Sequence, residues 1–304
     1  MSNVAVVPPA YLLERPLAQI AADIDALFDE LLPVPTDASA PLFEAMRYAA
    51  IGGGKRLRPL LTSASADLFR VPRAMSLRAG FAVECMHVHS LIHDDLPCMD
   101  DDDLRRGKPT VHIAFDEATA VLAGDSFITL AFEVLCDPAT HPEGEVRSEL
   151  ARELSRAAGA FGMAGGQMLD LRPMPTPVDL EAVTRLQRLK TGALITWAID
   201  AGAILAGTSH DDRTSLRGYA QNLGLAFQIA DDLLDVSGET AAVGKRLRKD
   251  EKQGKQNFVT VLGEERARQQ ADILVEQAIE HLRAFGANAE LLREIARFTT
   301  TRNR

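Results

Sequence analysis

Aromatic residues are scarce, at 5% of 304 residues, with one Trp and three Tyr. The core must therefore be built from Ala, Leu, Ile, Val and Met, which favours packed helices over β-sandwiches, whose strands draw on β-branched and aromatic residues. Cysteine is sparse too. Cys85, Cys98 and Cys136 form no Cys-x-x-Cys pair, which excludes a zinc ribbon and a disulfide framework. Reduced thiols in a cytoplasmic protein are the expectation. No uninterrupted apolar run reaches the length of a bilayer span, and Met1–Pro16 lacks the basic start and apolar segment of a secretory signal. Excess positive charge is missing as well: the net charge is −10, against nucleic-acid binding through overall charge. No low-complexity linker divides the chain, so one all-α domain over 1–304 is expected, with about ten N-terminal residues outside the packed bundle.

Helical periodicity is what the chain has in abundance. It predicts helices over Leu12–Leu32, Pro41–Ile51, Pro59–Phe69, Met75–Leu96, Asp116–Leu135, Val146–Met163, Val178–Ala206, Asp212–Val236, Asn257–Phe285 and Glu290–Thr299. In the helix through Asp235, Leu216, Ala220, Leu223, Phe227, Ala230 and Leu234 make an apolar stripe. Gln221, Gln228, Asp232 and Asp235 make a second, polar stripe, which suggests a face turned into a cavity.

Two aspartate clusters carry chemistry. One is His93-Asp94-Asp95-Leu96-Pro97-Cys98-Met99-Asp100, continuing as Asp101-Asp102-Asp103; the other is Asp231-Asp232-Leu233-Leu234-Asp235. Asp231 and Asp235 share a helix face, where like charges repel unless a cation lies between them. Asp94 and Asp100 do not align on a regular helix, but Pro97 ends or bends it, so the pair can converge on one ion. Hard oxygen ligands without cysteine suit Mg²⁺, with Mn²⁺ as a substitute, held by one or two carboxylates plus substrate phosphates. A solvated acidic turn is the plain alternative; two such clusters, each ending an apolar helix, outweigh it.

Basic clusters supply the complementary half. Gly54-Lys55-Arg56-Leu57-Arg58-Pro59 places cations in a glycine-rich turn before a helix, a good anion site. It is not a Walker A loop, because Arg56 stands where Ser or Thr would hold magnesium. Leu104-Arg105-Arg106-Gly107-Lys108-Pro109 follows the acidic run, and Lys245 to Lys255 holds six Lys or Arg. Their closeness to the carboxylates points to a substrate bearing diphosphates. His89 and His93 have zinc spacing, but no third ligand joins them. His87 lies two turns before Asp94 and can reach a phosphate oxygen in the same cavity. At Lys190-Thr191-Gly192, inside a helical stretch, a kink would free a backbone carbonyl.

Together these residues resemble a family. Ser90 through Asp100, with Leu104–Thr110, looks like the first aspartate-rich motif of the trans-polyprenyl diphosphate synthases, in the form found in the bacterial farnesyl and geranylgeranyl enzymes. Gly224 through Asp235 resembles the second motif, and Gly53–Pro59 and Lys190–Gly192 fit in order. The resemblance implies an isoprenoid synthase helical bundle around a deep central cavity, usually a cytosolic homodimer without membrane insertion. It implies Mg²⁺-dependent head-to-tail condensation of isopentenyl diphosphate with dimethylallyl or geranyl diphosphate, giving farnesyl diphosphate, with geranylgeranyl diphosphate as the alternative product. Carried over by position, Asp94, Asp95, Asp100, Asp231 and Asp235 hold metal, with Asp232 assisting. Gly54, Lys55, Arg58, His87 and Arg106 bind isopentenyl diphosphate. Arg105, Lys190, Thr191, Gln228, Lys245 and Lys255 hold the allylic diphosphate, and His89 and Ser90 set chain length. One departure is Phe258-Val259, where relatives often continue Tyr-Pro. A phosphohydrolase, a terpene cyclase and a non-catalytic partner subunit are the rivals. The Lys55/Arg58 turn speaks against a cyclase, which has no second diphosphate to hold, and the presence of both aspartate clusters speaks against an inactive subunit.

Overall fold

The computed structural model describes residues 9–172, 179–237 and 257–301. Helices dominate: α1 (Pro9–Leu31), α2 (Ala40–Ala50), α3 (Leu57–Asp67), α4 (Arg73–Asp94), α5 (Val111–Ala114), α6 (Glu117–Cys136) and α7 (Gly144–Ala158). Then follow α8 (Met163–Asp170), α9 (Leu180–Gln187), a π turn at Arg188–Gly192, α10 (Ala193–Ala206) and α11 (His210–Ser237). The chain closes with α12 (Phe258–Leu262), α13 (Glu264–His281), a 3₁₀ stretch at Arg283–Ala289 and α14 (Glu290–Thr301).

Small residues decide how closely these helices approach. Ser63, Ala64, Ser65 and Ala66 on α3 are buried, and α10 lies directly on them. A Cβ at Gly202 would stand 2.4 Å from the Ala66 nitrogen, so only glycine permits this approach. The Ser65 hydroxyl donates to the Ile199 carbonyl at 2.6 Å across the seam. On the far side of α4, Phe28 and Phe81 rings meet at 4.5 Å and Phe28 and Phe127 at 6.0 Å, joining α1, α4 and α6.

Four local departures from the periodicity matter. The predicted helix Val146–Met163 stops at Ala158, where Gly159 and Gly162 have backbones unsuited to a Cβ, and α8 starts afresh at Met163. Val178–Ala206 is split by the π turn. Asn257–Phe285 breaks at Gly263, whose φ is 78°. A two-residue hairpin, β1 (Leu104–Arg105) against β2 (Lys108–Pro109), was too short to show alternation. Arg106 at φ 52° and Gly107 at φ 77° form its tight turn, both left-handed as such hairpins require. No uninterrupted apolar run spans a bilayer, but helix length and average composition are a looser test, which a buried core helix also passes. By length and composition α6 and the 180–206 helix both qualify, because charges such as Asp125 and Arg188 interrupt the runs without lowering the average enough. Within the fold α10 is buried along nearly its whole length.

Candidate active site

The first aspartate cluster is shaped by the end of α4. The helix stops at Asp94 and the chain turns back through Pro97, so that the Asp100 amide donates to the Asp94 carbonyl at 2.8 Å and the Asp102 amide to the Asp95 carbonyl at 3.2 Å. Asp94 and Asp100, six apart in sequence, are thereby neighbours. Burial pushes the Asp94 carboxyl up to about 6; the nearby Lys190 opposes the shift and the Asp100 charge adds to it. Asp95 is placed differently from expectation. It is buried, and both its oxygens are taken by the Arg105 fork, at 2.7 Å to Nε and 2.5 Å to the second nitrogen. The two residues expected on metal and on diphosphate are bound to each other. A bidentate pair of this kind fixes the guanidinium plane, leaving its remaining donors to face outward.

The second cluster closes α11. Asp231 and Asp235 are partly exposed on one face, whereas Asp232 is buried. Asp232 accepts from Gln228 Nε2 at 2.8 Å and from the Phe258 amide at 2.9 Å, so it anchors the start of α12. Asn257 caps that helix by a reciprocal pair of bonds with Thr260, each 2.9 Å.

Between the clusters sits the π turn, a feature that recurs at functional sites. Thr191 Oγ1 donates to Gln228 Oε1 at 3.1 Å, and Lys190 Nζ binds Asp170 at 2.7 Å. Two glycines clamp the turn. A Cβ at Gly166 would lie 2.2 Å from the Lys190 nitrogen, and one at Gly224 would lie 3.2 Å from the Gly192 Cα. Asp170 was not found from sequence; its only signal was its place one turn after Gln167 on a short glycine-rich helix.

The basic side is built on a buried arginine. Arg56 stands at φ 48° ahead of α3 and turns inward, bonding Glu84 at 2.8 Å, Asp25 at 2.7 Å and the Ala50 carbonyl. Of its neighbours, Lys55 is exposed and Arg58 is half-buried. Arg58 forms no ion pair among the described residues, and its Nε is buried without a partner. Burial lowers its pKa, and Glu84 and Asp231 counter that from two sides. The His87 imidazole is held well below its ordinary pKa by burial and then by Arg58, Arg106, Arg105 and Arg56, so it is neutral at pH 7. The Arg106 guanidinium lies over the glycine turn, so close that a Cβ at Gly54 would meet it at 2.7 Å; Gly54 also has φ 87°. A cavity of about 220 Å³ opens beside it, walled by Gly52–Gly54, Val88, Leu91, Ile92, Arg105 and Arg106.

His89 faces α6. Its Nδ1 lies 3.1 Å from the Gly124 carbonyl, and its ring meets His93 edge-on at 4.5 Å. Burial, then His93, lowers it to about 4. His93 Nε2 lies 3.2 Å from the Val121 carbonyl. Both rings are committed to α6 backbone rather than to a shared ion. Ser90 Oγ bonds back to the His87 carbonyl at 2.8 Å. Lys245 and Lys255 lie outside the described residues.

Among the described residues no three His, Cys, Asp or Glu side chains converge to enclose a metal. The donor chemistry nevertheless fits Mg²⁺. Asp94 is a half-buried carboxyl made costly to ionise beside Asp100, and Mg²⁺ takes one or two carboxylates and completes its shell with water and substrate phosphate.

Comparison with known proteins accords with this geometry. The polyprenyl synthetase family profile matches residues 39–295. Farnesyl diphosphate synthase of Escherichia coli K12 is 44% identical over 285 residues, 92% of this chain and 95% of that protein. Geranylgeranyl pyrophosphate synthase 11 of Arabidopsis thaliana is 42% identical over 261 residues, 84% of this chain and 72% of the relative. The crystal structure of an FPP/GFPP synthase from Zymomonas mobilis superimposes with a TM-score of 0.88 at 53% identity, covering 96% of this chain and 99% of the other.

Proposed function

The chain belongs to the polyprenyl synthetase family and is a prenyltransferase with the isoprenoid synthase fold, and from that premise we propose that it is Mg²⁺-dependent and condenses isopentenyl diphosphate with geranyl or dimethylallyl diphosphate to farnesyl diphosphate. The observation that carries this reading is the separation of two anion sites. Arg58, without an ion pair among the described residues and flanked by Arg106 and neutral His87, forms one; Lys190 and Arg105 beside Asp94 and Asp100 form the other.

In this reading Asp94, Asp100 and Asp231, with Asp235, hold Mg²⁺, and Asp95 and Asp232 hold the residues around them. Bound Mg²⁺ would neutralise charge developing on the departing diphosphate. Lys190, set by Asp170, and Arg105, set by Asp95, grip that diphosphate as the allylic C–O bond ionises. The Thr191 and Gln228 dipoles stabilise the allylic cation. Lys55, Arg58, His87 and Arg106 orient isopentenyl diphosphate, whose double bond attacks; a proton then passes to the released diphosphate. The test is chromatography of dephosphorylated products from isopentenyl and geranyl diphosphates, with Mg²⁺ and with chelator. Phosphate release without a C15 product would overturn the proposal.

Arg58→Ala is expected to raise KM for isopentenyl diphosphate about 10- to 100-fold, the loss of a charge-assisted bond of about 1.5–3 kcal/mol. KM for the allylic substrate should stay within a few-fold; equal effects on both would contradict the two-site division.

Product length rests on His89. Fixed between α4 and α6, its ring fills the seam through which a growing tail would extend past the aspartates. Desolvating it against hydrocarbon adds to the steric stop. His89→Ala is expected to lengthen the main product by at least one C5 unit. An active variant with an unchanged product distribution would remove His89 from this role. For the assembly we propose a homodimer, since Ile113, Val121 and Leu122 leave an exposed apolar surface on α5 and α6. Light scattering at twice the chain mass is the check.

A further inference from the structure

A second cavity, of about 560 Å³, lies between α7, α10 and α11, behind the π turn and apart from both anion sites above. Its volume falls within the usual range for small-molecule sites. Arg156, Arg188 and Arg217 line it, on a chain whose net charge is −10. The two carboxylates at its wall do not cancel this charge. Asp200 is taken by Arg213, at 3.0 and 2.8 Å, and by Arg217 at 2.7 Å. Glu153 pairs with Arg152 at 2.9 Å. Arg156 and Arg188 form no ion pair among the described residues. The rest of the wall includes Phe161, 85% exposed, the buried Trp197 and Leu225, and the polar Thr196 and Gln221.

We propose that this cavity is a separate binding site for a small anion carrying an apolar tail, with Arg156 and Arg188 taking the anionic head and Phe161, Trp197 and Leu225 the tail. A prenyl diphosphate and a fatty acid share that chemistry. The site has a direct covalent route to the reaction: Arg188 begins the π turn that carries Lys190 and Thr191, and Gly192, which ends it, also lines the cavity.

Trp197 is the one tryptophan in the chain and lines this cavity, so a change in its fluorescence gives a local signal there. The purified enzyme, in chelator, is titrated with farnesyl diphosphate, dodecanoate, dodecanol and inorganic diphosphate, with calorimetry in parallel to register binding that leaves the indole unmoved. At least one tailed anion should bind saturably, and dodecanol and inorganic diphosphate at least tenfold more weakly. The Arg156→Ala/Arg188→Ala variant, whose changes are both at exposed positions, should melt like wild type, keep basal condensation and bind the tailed anion at least tenfold more weakly. Arg58→Ala should bind it as wild type does. Which tailed anion binds decides between the two sources. No saturable binding by either, equal binding by the double variant, or loss of the signal in Arg58→Ala would overturn the proposal.

Discussion

Asp94→Asn and Asp231→Asn are each expected to lower kcat/KM by about 100- to 1000-fold, about 2.7–4 kcal/mol of transition-state stabilisation. Each removes a carboxylate from one side of the proposed metal site while keeping the size of the side chain. Asp94→Asn should also change stability in the opposite direction. Burial and Asp100 raise the Asp94 carboxyl from 3.8 in the unfolded chain to about 6 in the fold, so ionising it works against folding. That penalty is absent below pH 3.8, grows between 3.8 and 6, and is complete above 6. In chelator at pH 8 the variant should therefore melt above wild type, and the gap should close as the pH falls through 6. Mg²⁺ should raise the wild-type Tm and leave the variant nearly unmoved. Turnover within a few-fold of wild type, or a variant that melts below wild type at pH 8, would contradict the assignment.

The parts legible in sequence were those with a local signature. The α11 stripe from Leu216 to Leu234 follows from spacing alone, and its Leu216, Ala220, Leu223 and Ala230 are buried. Pro97 made the Asp94–Asp100 approach foreseeable, because a helix cannot run through it unchanged. Other features depend on partners far along the chain. Lys55, Arg56 and Arg58 look alike as a basic run; which one turns inward depends on Glu84 and Asp25, on α4 and α1. The Lys190–Asp170 pair joins two helices across twenty residues. The Asp95–Arg105 fork joins the end of α4 to the first strand of a hairpin that has no alternation to announce it. The π turn has no composition of its own; it is held by Gly166 and Gly224 from two other helices, whose backbone approach no single window of sequence encodes.

Glu84→Ala is expected to be among the most destabilising single changes in the protein, by about 3–5 kcal/mol. Arg56 and Glu84 have side chains 1% and 2% exposed, and they meet at 2.8 Å. Removing the carboxylate strands a buried guanidinium left with the Ala50 carbonyl, the Phe28 ring face and Asp25, which is itself 29% exposed. The Tm should fall by roughly 6–15 °C. Glu84→Gln, which keeps an acceptor for Arg56 but not the charge, should lose less. Arg56→Met/Glu84→Leu should recover part of the loss, since replacing both members of a buried pair avoids the unpaired charge. A functional signature separates this role from general destabilisation. Arg56 fixes the turn that presents Lys55 and Arg58, and it touches neither the π turn nor Asp94. Assayed well below its Tm, Glu84→Ala should show a raised KM for isopentenyl diphosphate and a nearly unchanged KM for the allylic substrate. A Tm within 2 °C of wild type, or equal losses on both substrates, would show that the pair does not hold the isopentenyl site in place.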